Sequence, residues 1–367
     1  MKRFLWSSLI VAVAILVNSR AQAQTPPALG YAPPTGGAVH PMYSPASTGI
    51  PVGAAPTGPI TFPQGPQGAP LSAGPTYTHP HGRNVPGNGC LVPPCDGQPA
   101  LFASDRAFPE FVGPISNPVL AKDPRSLTEV RFLFLNQKID AAHPFGGGDF
   151  QVVGAQIRVA LTERLSFIAD KDGYIWLNPG NLPSTDGWAN IAAGLKYLLV
   201  RDVENQFLLS VGFQYELPSG TRRVFQGHGD GTISLFMTAG KECNLMHFLS
   251  TFAAQVPLDD DQNSTFLAWS VHADVQIFER FYPLVELNWF HYLDGGNRGL
   301  PAAIGEGAGL LNLGTSGIAG NELITLALGL KTIVCPNLDV GFAYELPISG
   351  RRDLLNNRIL VELIARY

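Results

Sequence analysis

The stretch VGAQIRVAL, residues 153–161, decides the fold class of this chain. Every second residue is apolar (Val153, Ala155, Ile157, Val159, Leu161), while Gly154, Gln156 and Arg158 fall on the other side. A period of two is typical of a β-strand with one apolar face. Residues 188–199 and 267–277 repeat the pattern, and no helical pattern of comparable length accompanies it. From Leu127 onward the sequence therefore predicts an all-β domain.

About twelve such runs follow one another, and their connections alternate in length. The runs cover 126–138, 149–161, 165–177, 187–200, 206–218, 231–241, 246–257, 264–278, 282–293, 322–333, 338–347 and 356–367. Every even-numbered connection is short and most odd-numbered ones are long, the longest being 294–321. Short turns at one rim and long loops at the other are typical of a transmembrane β-barrel, which must close to leave no edge unpaired in lipid. A soluble all-β protein is the alternative, but it has no reason to sort its loops by length. We predict an antiparallel barrel over residues 125–367.

The first 23 residues, MKRFLWSSLIVAVAILVNSRAQA, have the features of a secretory signal peptide. Lys2 and Arg3 precede an apolar stretch, and Ala21-Gln22-Ala23 provides a cleavage site, so we expect cleavage after Ala23. Cleavage implies that the mature chain is exported. A signal anchor, which is not cleaved, is the alternative.

Residues 24–124 differ in composition from the rest. Residues 24–100 contain 18 of the 31 prolines and only two charged side chains, Arg83 and Asp96. Such a segment buries too little apolar surface to offset its ordering entropy, which predicts disorder or polyproline conformation. We interpret it as a spacer or as an arm that contacts cell-wall or surface partners. Residues 101–124 are transitional, and we expect them to form a short plug or lead-in.

Two cysteines lie close together in GCLVPPCDG. In an exported chain we predict a local disulfide between Cys90 and Cys95. The alternative, a metal site with the nearby His79 and His81, would need more ligands, so we expect no metal. The net charge of −5 gives no indication of nucleic-acid binding.

One motif occurs twice: VGFQYELPSGTRR at 211–223 and VGFAYELPISGRRD at 340–353. The copies fall on the fifth and eleventh predicted strands, half a barrel apart, and Gly-Leu-Lys precedes each on the neighbouring strand. We interpret this as duplication of a hairpin, with convergence as the alternative. The alternation turns Phe213 and Tyr215 towards lipid and Glu216 towards the lumen, and the prolines end the ladder.

The last residues, RILVELIARY, alternate and end on Tyr367. In this the chain resembles the outer-membrane barrels of double-membraned bacteria, whose last strand commonly ends in an aromatic residue. The resemblance implies that Tyr367 is a signal for the barrel-assembly machinery and that the partners are this machinery and outer-membrane lipid. The Pro-x-Gly strand ends also loosely resemble predicted transporter barrels of the MetA-type phenol-degradation pathway, which implies solute uptake.

Reading the alternation strand by strand assigns a set of polar side chains to the lumen. They are Glu129, Arg131, Arg158, Asp170, Lys196, Glu216, His272, Asp274, Glu286, Lys331, Glu345, Glu362 and Arg366. They form either ion pairs that fill the interior or a polar pathway that orients a small solute. Balanced signs argue against strong selectivity for anions or cations.

The function predicted is a passive channel or transporter for small solutes in the bacterial outer membrane. The alternative is a structural or surface-anchoring barrel whose proline-rich arm makes the contacts and which transports nothing. We expect no enzyme and no cofactor, because the nucleophile-elbow, metalloprotease, phosphate-loop and dinucleotide motifs are all missing from the sequence. Ser270 and His272 lie two residues apart on the lumen face, with no apparent oxyanion-forming loop.

Overall fold

Fourteen strand segments account for nearly all regular structure in residues 102–335 and 337–367, which the computed structural model describes. They are β1 (Glu129–Lys138), β2 (Gly148–Ala160), β3 (Leu165–Lys171), β4 (Tyr174–Pro179), β5 (Thr185–Trp188), β6 (Ile191–Asp202), β7 (Phe207–Leu217), β8 (Thr232–Cys243), β9 (Met246–Pro257), β10 (Thr265–Val275), β11 (Phe281–Asp294), β12 (Glu322–Cys335), β13 (Leu338–Pro347) and β14 (Asn357–Arg366). Arg222–Val224 forms one turn of 3-10 helix. None of the helical structure in these residues is long and apolar enough to cross a bilayer.

The sheet closes on itself. β1 pairs antiparallel with β2 on one side, from Glu129 opposite Arg158, and with β14 on the other, from Glu129 opposite Arg366. All other strand pairings are also antiparallel, and from β6 to β14 each strand neighbours its successor around the barrel. Closure pairs the ladder groups that an open edge would leave bare.

Two of the barrel strands are interrupted, so the fourteen segments make twelve strands around the barrel. β3 and β4 both pair with β2, and β6 and β5 continue beside them. The first break contains Gly173, whose φ is +115° and where a Cβ atom would lie 2.3 Å from the carbonyl oxygen of Val153. Asp172 accepts the main-chain N–H of Ala155 there, replacing a ladder bond. The prediction of twelve strands is confirmed. The prediction that residues 165–177 and 187–200 each form one continuous strand was wrong.

The connections sort by length as the sequence predicted. One rim, which we call the short-turn end, has turns such as 161–164 and 203–206; the other, the long-loop end, has the connections 218–231 and 295–321. Both repeated Arg-Arg pairs, Arg222–Arg223 and Arg351–Arg352, lie in long-loop connections.

The outer face is an apolar belt. Side chains such as Phe132, Phe213, Leu235, Phe342 and Val361 are exposed on it. The alternate side chains point inward and are buried, so the core of this protein is the inside of the barrel. An exposed apolar band around a closed sheet is what a membrane barrel presents to lipid.

Candidate functional site

Residues 102–128 run inside the barrel; we call them the inner segment. Every residue from 111 to 127 is buried. The segment begins at the short-turn end, where Ser104 N–H donates to the carbonyl of Tyr367 (3.3 Å) and Asp105 pairs with Arg201 (2.9 Å). It contains no strand and does not join the sheet. Its four prolines, at positions 109, 114, 118 and 124, lack the N–H that a ladder needs.

The inner segment turns back at Asn117. This residue has a φ of +50°, and its carbonyl accepts the N–H groups of Leu120 and Ala121 (3.2 and 2.9 Å). The side-chain amide of Asn117 donates to Ser270 Oγ (2.9 Å). The chain then returns to Thr128 at the short-turn end and enters β1. The structure thus places residues 102–128 as a plug in the lumen.

An acidic group on the wall binds two main-chain amides of the plug. Glu286 accepts Ile115 N–H (2.8 Å) and Ser116 N–H (2.6 Å). The Glu286 carboxylate also meets His272 Nδ1 at 2.7 Å, while His272 Nε2 lies 2.9 Å from Asp274. Because both ring nitrogens face carboxylate oxygens, His272 carries both protons and is an imidazolium. The ring therefore positions Glu286 against the plug and has no free nitrogen to serve Ser270 as a base.

Basic groups on the wall bind the main-chain carbonyls of the plug. Lys331 Nζ donates to Gly113 O (2.7 Å) and Arg131 to Ile115 O (3.1 Å). Lys196 Nζ donates to Asp123 O and Arg125 O (2.5 and 2.6 Å). The wall thus satisfies buried backbone groups that have no strand partner, which would otherwise destabilise the segment inside the barrel.

The side chain of Lys122 in the plug in turn donates hydrogen bonds to side chains of the wall. Lys122, fully enclosed, donates to Asp170 (2.9 Å), to Gln214 (2.6 Å) and to the carbonyl of Val119 (2.5 Å). Asp170 is shared with Arg158 on the wall (3.0 Å). Sequence reasoning did not single out Lys122, because the segment around it has no periodicity that would assign a face.

The side chains predicted to face the lumen all lie inside the barrel, and Arg366 alone among them is only half-buried. The structure joins most of them in ion pairs: Arg158–Glu129, Arg158–Asp170, Arg131–Glu362, Lys331–Glu362, Arg358–Glu345 and Arg366–Glu129. Arg358 was not among the predicted residues. His272, Asp274 and Glu286 form the separate group above. The contacts are those of a filled interior.

Glu216 pairs with a residue that the sequence placed on the opposite face. Lys171 Nζ lies 2.6 Å from Glu216 Oε1. The register between β3 and β6 shifts between Ala169 and Lys171, so Asp170 and Lys171 both point inward. A bulge adds one residue to a strand and breaks its period of two, which is why the alternation missed Lys171.

Much of the long-loop half of the lumen is apolar, although the Arg358–Glu345 and Lys171–Glu216 pairs also lie there, whereas a polar lumen was expected throughout. Inward side chains such as Leu133, Leu135, Phe150 and Phe290 join the plug residues Val119 and Leu120 in one buried cluster. The sequence carried a signal for this in residues 132–135, FLFL, which is apolar on both faces.

Loop 295–321, which we call the lid, folds inward over this half. Leu310, Leu311 and Leu313 are buried in the same cluster. Glu306 fixes the lid: it accepts Ser264 Oγ–H (2.6 Å), Leu313 N–H (2.7 Å) and Thr315 N–H (2.9 Å). Burial, with a smaller contribution from nearby Asp353, raises the pKa of Glu306.

Two cavities between the plug and the wall have volumes of about 30 and 10 Å³, the first beside Val119 and Leu310 and the second beside His272. A space of about 10–15 Å³ holds one water molecule. In this state these cavities fit water and not a solute.

The remaining predicted residues are placed as follows. Tyr367 is exposed at the short-turn end, and its N–H donates to the carbonyl of Thr128 (2.9 Å). Cys90, Cys95 and the cleavage site at Ala23 lie outside the described residues. Within the described ranges, no three His, Cys, Asp or Glu side chains are arranged to hold a metal ion.

No family model and no curated protein matches this chain. Among solved structures, it is similar to the COG4313 outer membrane channel from Pseudomonas putida F1, with a TM-score of 0.51 and 12% identity over 70% of this chain and 100% of that chain. This chain has the fold of a bacterial outer-membrane β-barrel. The NanC porin (TM-score 0.42, 8% identity, 65% of this chain, 99% of that chain) and the beta domain of the Bordetella autotransporter BrkA (0.40, 11%, 65%, 100%) are less similar. At such identities the likeness concerns the fold alone.

Proposed function

We propose that this protein is a passive outer-membrane channel for small solutes whose lumen is closed by its own inner segment. The observation that carries the proposal is the way the plug is held. In the short-turn half, side chains of the wall bind its main chain through hydrogen bonds, as Glu286, Lys331 and Lys196 do. Water can replace such contacts at a small net cost, since each contributes only about 0.5–3 kcal/mol.

The orientation follows from the barrel class. Short turns of outer-membrane barrels face the periplasm, so the plug enters from the periplasm and the lid lies outside the cell. The predicted lumen residues, from Glu129 to Arg366 in chain order, would then line the path that opens when the plug leaves. We propose further that Tyr367 serves assembly and that the signal peptide is cleaved after Ala23.

Single-channel recording of the refolded protein, with and without residues 24–124, tests the channel. We expect rare, small openings for the full chain and a stable conductance for the truncated barrel. The folding control is heat-modifiable migration in SDS of both proteins. A truncated barrel that is folded and does not conduct contradicts the proposal.

A second candidate function is a structural or surface-anchoring barrel without transport. The filled lumen favours it, since the two cavities described above between plug and wall are water-sized. The recording of the full chain separates the two functions, because a channel opens with its inner segment present, whereas a purely structural barrel stays closed until that segment is removed.

A further inference from the structure

One buried cation of the barrel wall differs from all the others in its partners. Within the described residues, each remaining cation of the wall interior has a carboxylate within 4.0 Å: Arg131 and Lys331 with Glu362, Arg158 with Glu129 and Asp170, Lys171 with Glu216, Arg358 with Glu345, and Arg366 with Glu129 and Asp339. Lys196 has none, although its side chain is only 3% exposed. Its acceptors are the plug carbonyls of Asp123 and Arg125.

The carboxylate nearest in sequence to these carbonyls is already occupied. Asp123 binds Arg125 within the plug, with 2.6 Å between Arg125 Nη2 and Asp123 Oδ2. The plug therefore carries away a neutral pair when it leaves, and Lys196 keeps its charge on the wall without an acceptor.

Lys196 belongs to a row of three donors on adjacent strands. Ser210 on β7 donates to the carbonyl of Pro124 (2.6 Å), which lies between the two carbonyls bound by Lys196. Ser166 on β3 lies directly opposite Lys196 in the ladder and meets Ser126 of the plug (2.9 Å). All three side chains are buried. In the closed state an ammonium and two hydroxyl groups thus surround main-chain and hydroxyl oxygens of residues 123–126.

We propose that Ser166, Lys196 and Ser210 form a binding site for an oxyanion, a carboxylate or phosphate group on the solute, when the plug is displaced. The inference rests on the proposed channel. The plug oxygens occupy the positions that the oxygens of the solute take, and hydrogen bonds between an ammonium and an anionic oxygen are stronger than those to a neutral carbonyl. The open channel therefore favours anions.

The competing partner for Lys196 is Asp170, which loses Lys122 when the plug leaves. Asp170 keeps Arg158 at 3.0 Å, and Glu129 is held by Arg158 at 2.6 Å. Both carboxylates thus remain paired, which leaves Lys196 to the solute. If Lys196 instead moved to Asp170, its charge would be cancelled and the channel would show no preference that depends on residue 196.

The test uses the full chain with Lys122→Met, which loosens the plug and leaves the wall unchanged. The acetate-to-potassium permeability ratio is measured in planar bilayers under a potassium acetate gradient. Lys196→Gln, Lys196→Arg and Thr238→Val are each added to this background. Thr238→Val is the matched control, because the Thr238 hydroxyl also donates to the plug main chain, at the carbonyl of residue 122 (2.8 Å), and lies outside the proposed site.

We expect an acetate preference that Lys196→Gln lowers about fivefold, the effect of one unit charge about 4 Å from an ion in water. Arg at this position should restore the ratio, and Thr238→Val should leave it unchanged. An unaltered ratio in Lys196→Gln overturns the anion site while the channel stands. An equal fall in Thr238→Val also overturns it, because the cause would be loosening of the plug and not charge. Heat-modifiable variants that never conduct overturn the channel and this site together.

Discussion

Replacing Lys122 by Met should open the channel, because this one side chain holds the returning limb of the plug. Its ammonium makes three hydrogen bonds, to Asp170, Gln214 and the carbonyl of Val119. Breaking a buried ion pair costs about 3–5 kcal/mol when the partner is left uncompensated. Asp170 keeps Arg158 at 3.0 Å, so we expect a loss of about 3 kcal/mol in the closed state. At about 1.4 kcal/mol per factor of ten, the closed-to-open ratio falls by about 150-fold.

The assay is the open probability of single channels in planar bilayers. The matched control is Lys138→Met, which breaks the pair of Lys138 with Asp149 (2.7 Å) at the rim, where the Lys138 side chain is 49% exposed. An exposed pair contributes about 0–1 kcal/mol, so this variant should behave as the wild type. Heat-modifiable Lys122→Met protein with an unchanged open probability would refute the closing role of Lys122.

Three further predictions concern assembly, topology and pH. Deleting Tyr367 should lower the amount of assembled, heat-modifiable barrel in outer-membrane fractions without changing export; normal amounts would make the aromatic end incidental. With Cys243 replaced, a cysteine introduced at Arg223 or at Arg352 should react with an impermeant maleimide on intact cells, whereas one introduced at Glu204 should not. A difference in reactivity between the two arginine positions would contradict their location at the same end of the barrel. The raised pKa of Glu306 means that the closed lid binds a proton on the Glu306 carboxyl group more tightly than the open lid does, so the lid should loosen as pH rises through that pKa. The mobility of a nitroxide label at Ala302 should increase over this pH range, and Glu306→Gln should abolish the pH dependence.

The strands were predictable because a period of two fixes both the type of element and its faces. The Tyr-Glu-Leu-Pro motifs show how far this reaches: Tyr215 and Tyr344 point outward, and Glu216 and Glu345 inward. The rule failed where the period changes. The alternation of apolar and polar residues reveals neither the bulge before Lys171 nor the break at Gly173. Both depend on the hydrogen-bonding groups of the neighbouring strand, which the pattern within one strand does not show.

The plug was foreseen only as a possibility of the segment 101–124, and its contacts were not predictable. Main-chain groups of Ile115, Asp123 and Arg125 carry much of the binding, and a sequence does not show which of its amides and carbonyls are used. The sequence shows that positive and negative side chains in the lumen are roughly equal in number. It does not show that Lys196 forms no ion pair with a carboxylate of the wall, because the pairing depends on which strands are neighbours and on the position of each side chain along the barrel axis.

The two ends of the lumen are closed by different physical means, and this decides which closure yields first. The lid is fixed by apolar burial around Leu311 and Leu313, and by a carboxylate that satisfies three donors. Opening it exposes apolar surface at roughly 25 cal/mol per Å². In the short-turn half, Phe108 and Phe111 of the plug are buried against Leu198, Leu208 and Leu249, but the contacts nearest the rim, those of Ser104 and Asp105, are polar. Water entering at the short-turn end replaces such polar contacts one at a time. Displacement therefore begins at this end of the plug, at Ser104 and Asp105. A variant without the Asp105–Arg201 pair should accordingly shorten the closed intervals in single-channel records without changing the conductance of the open state.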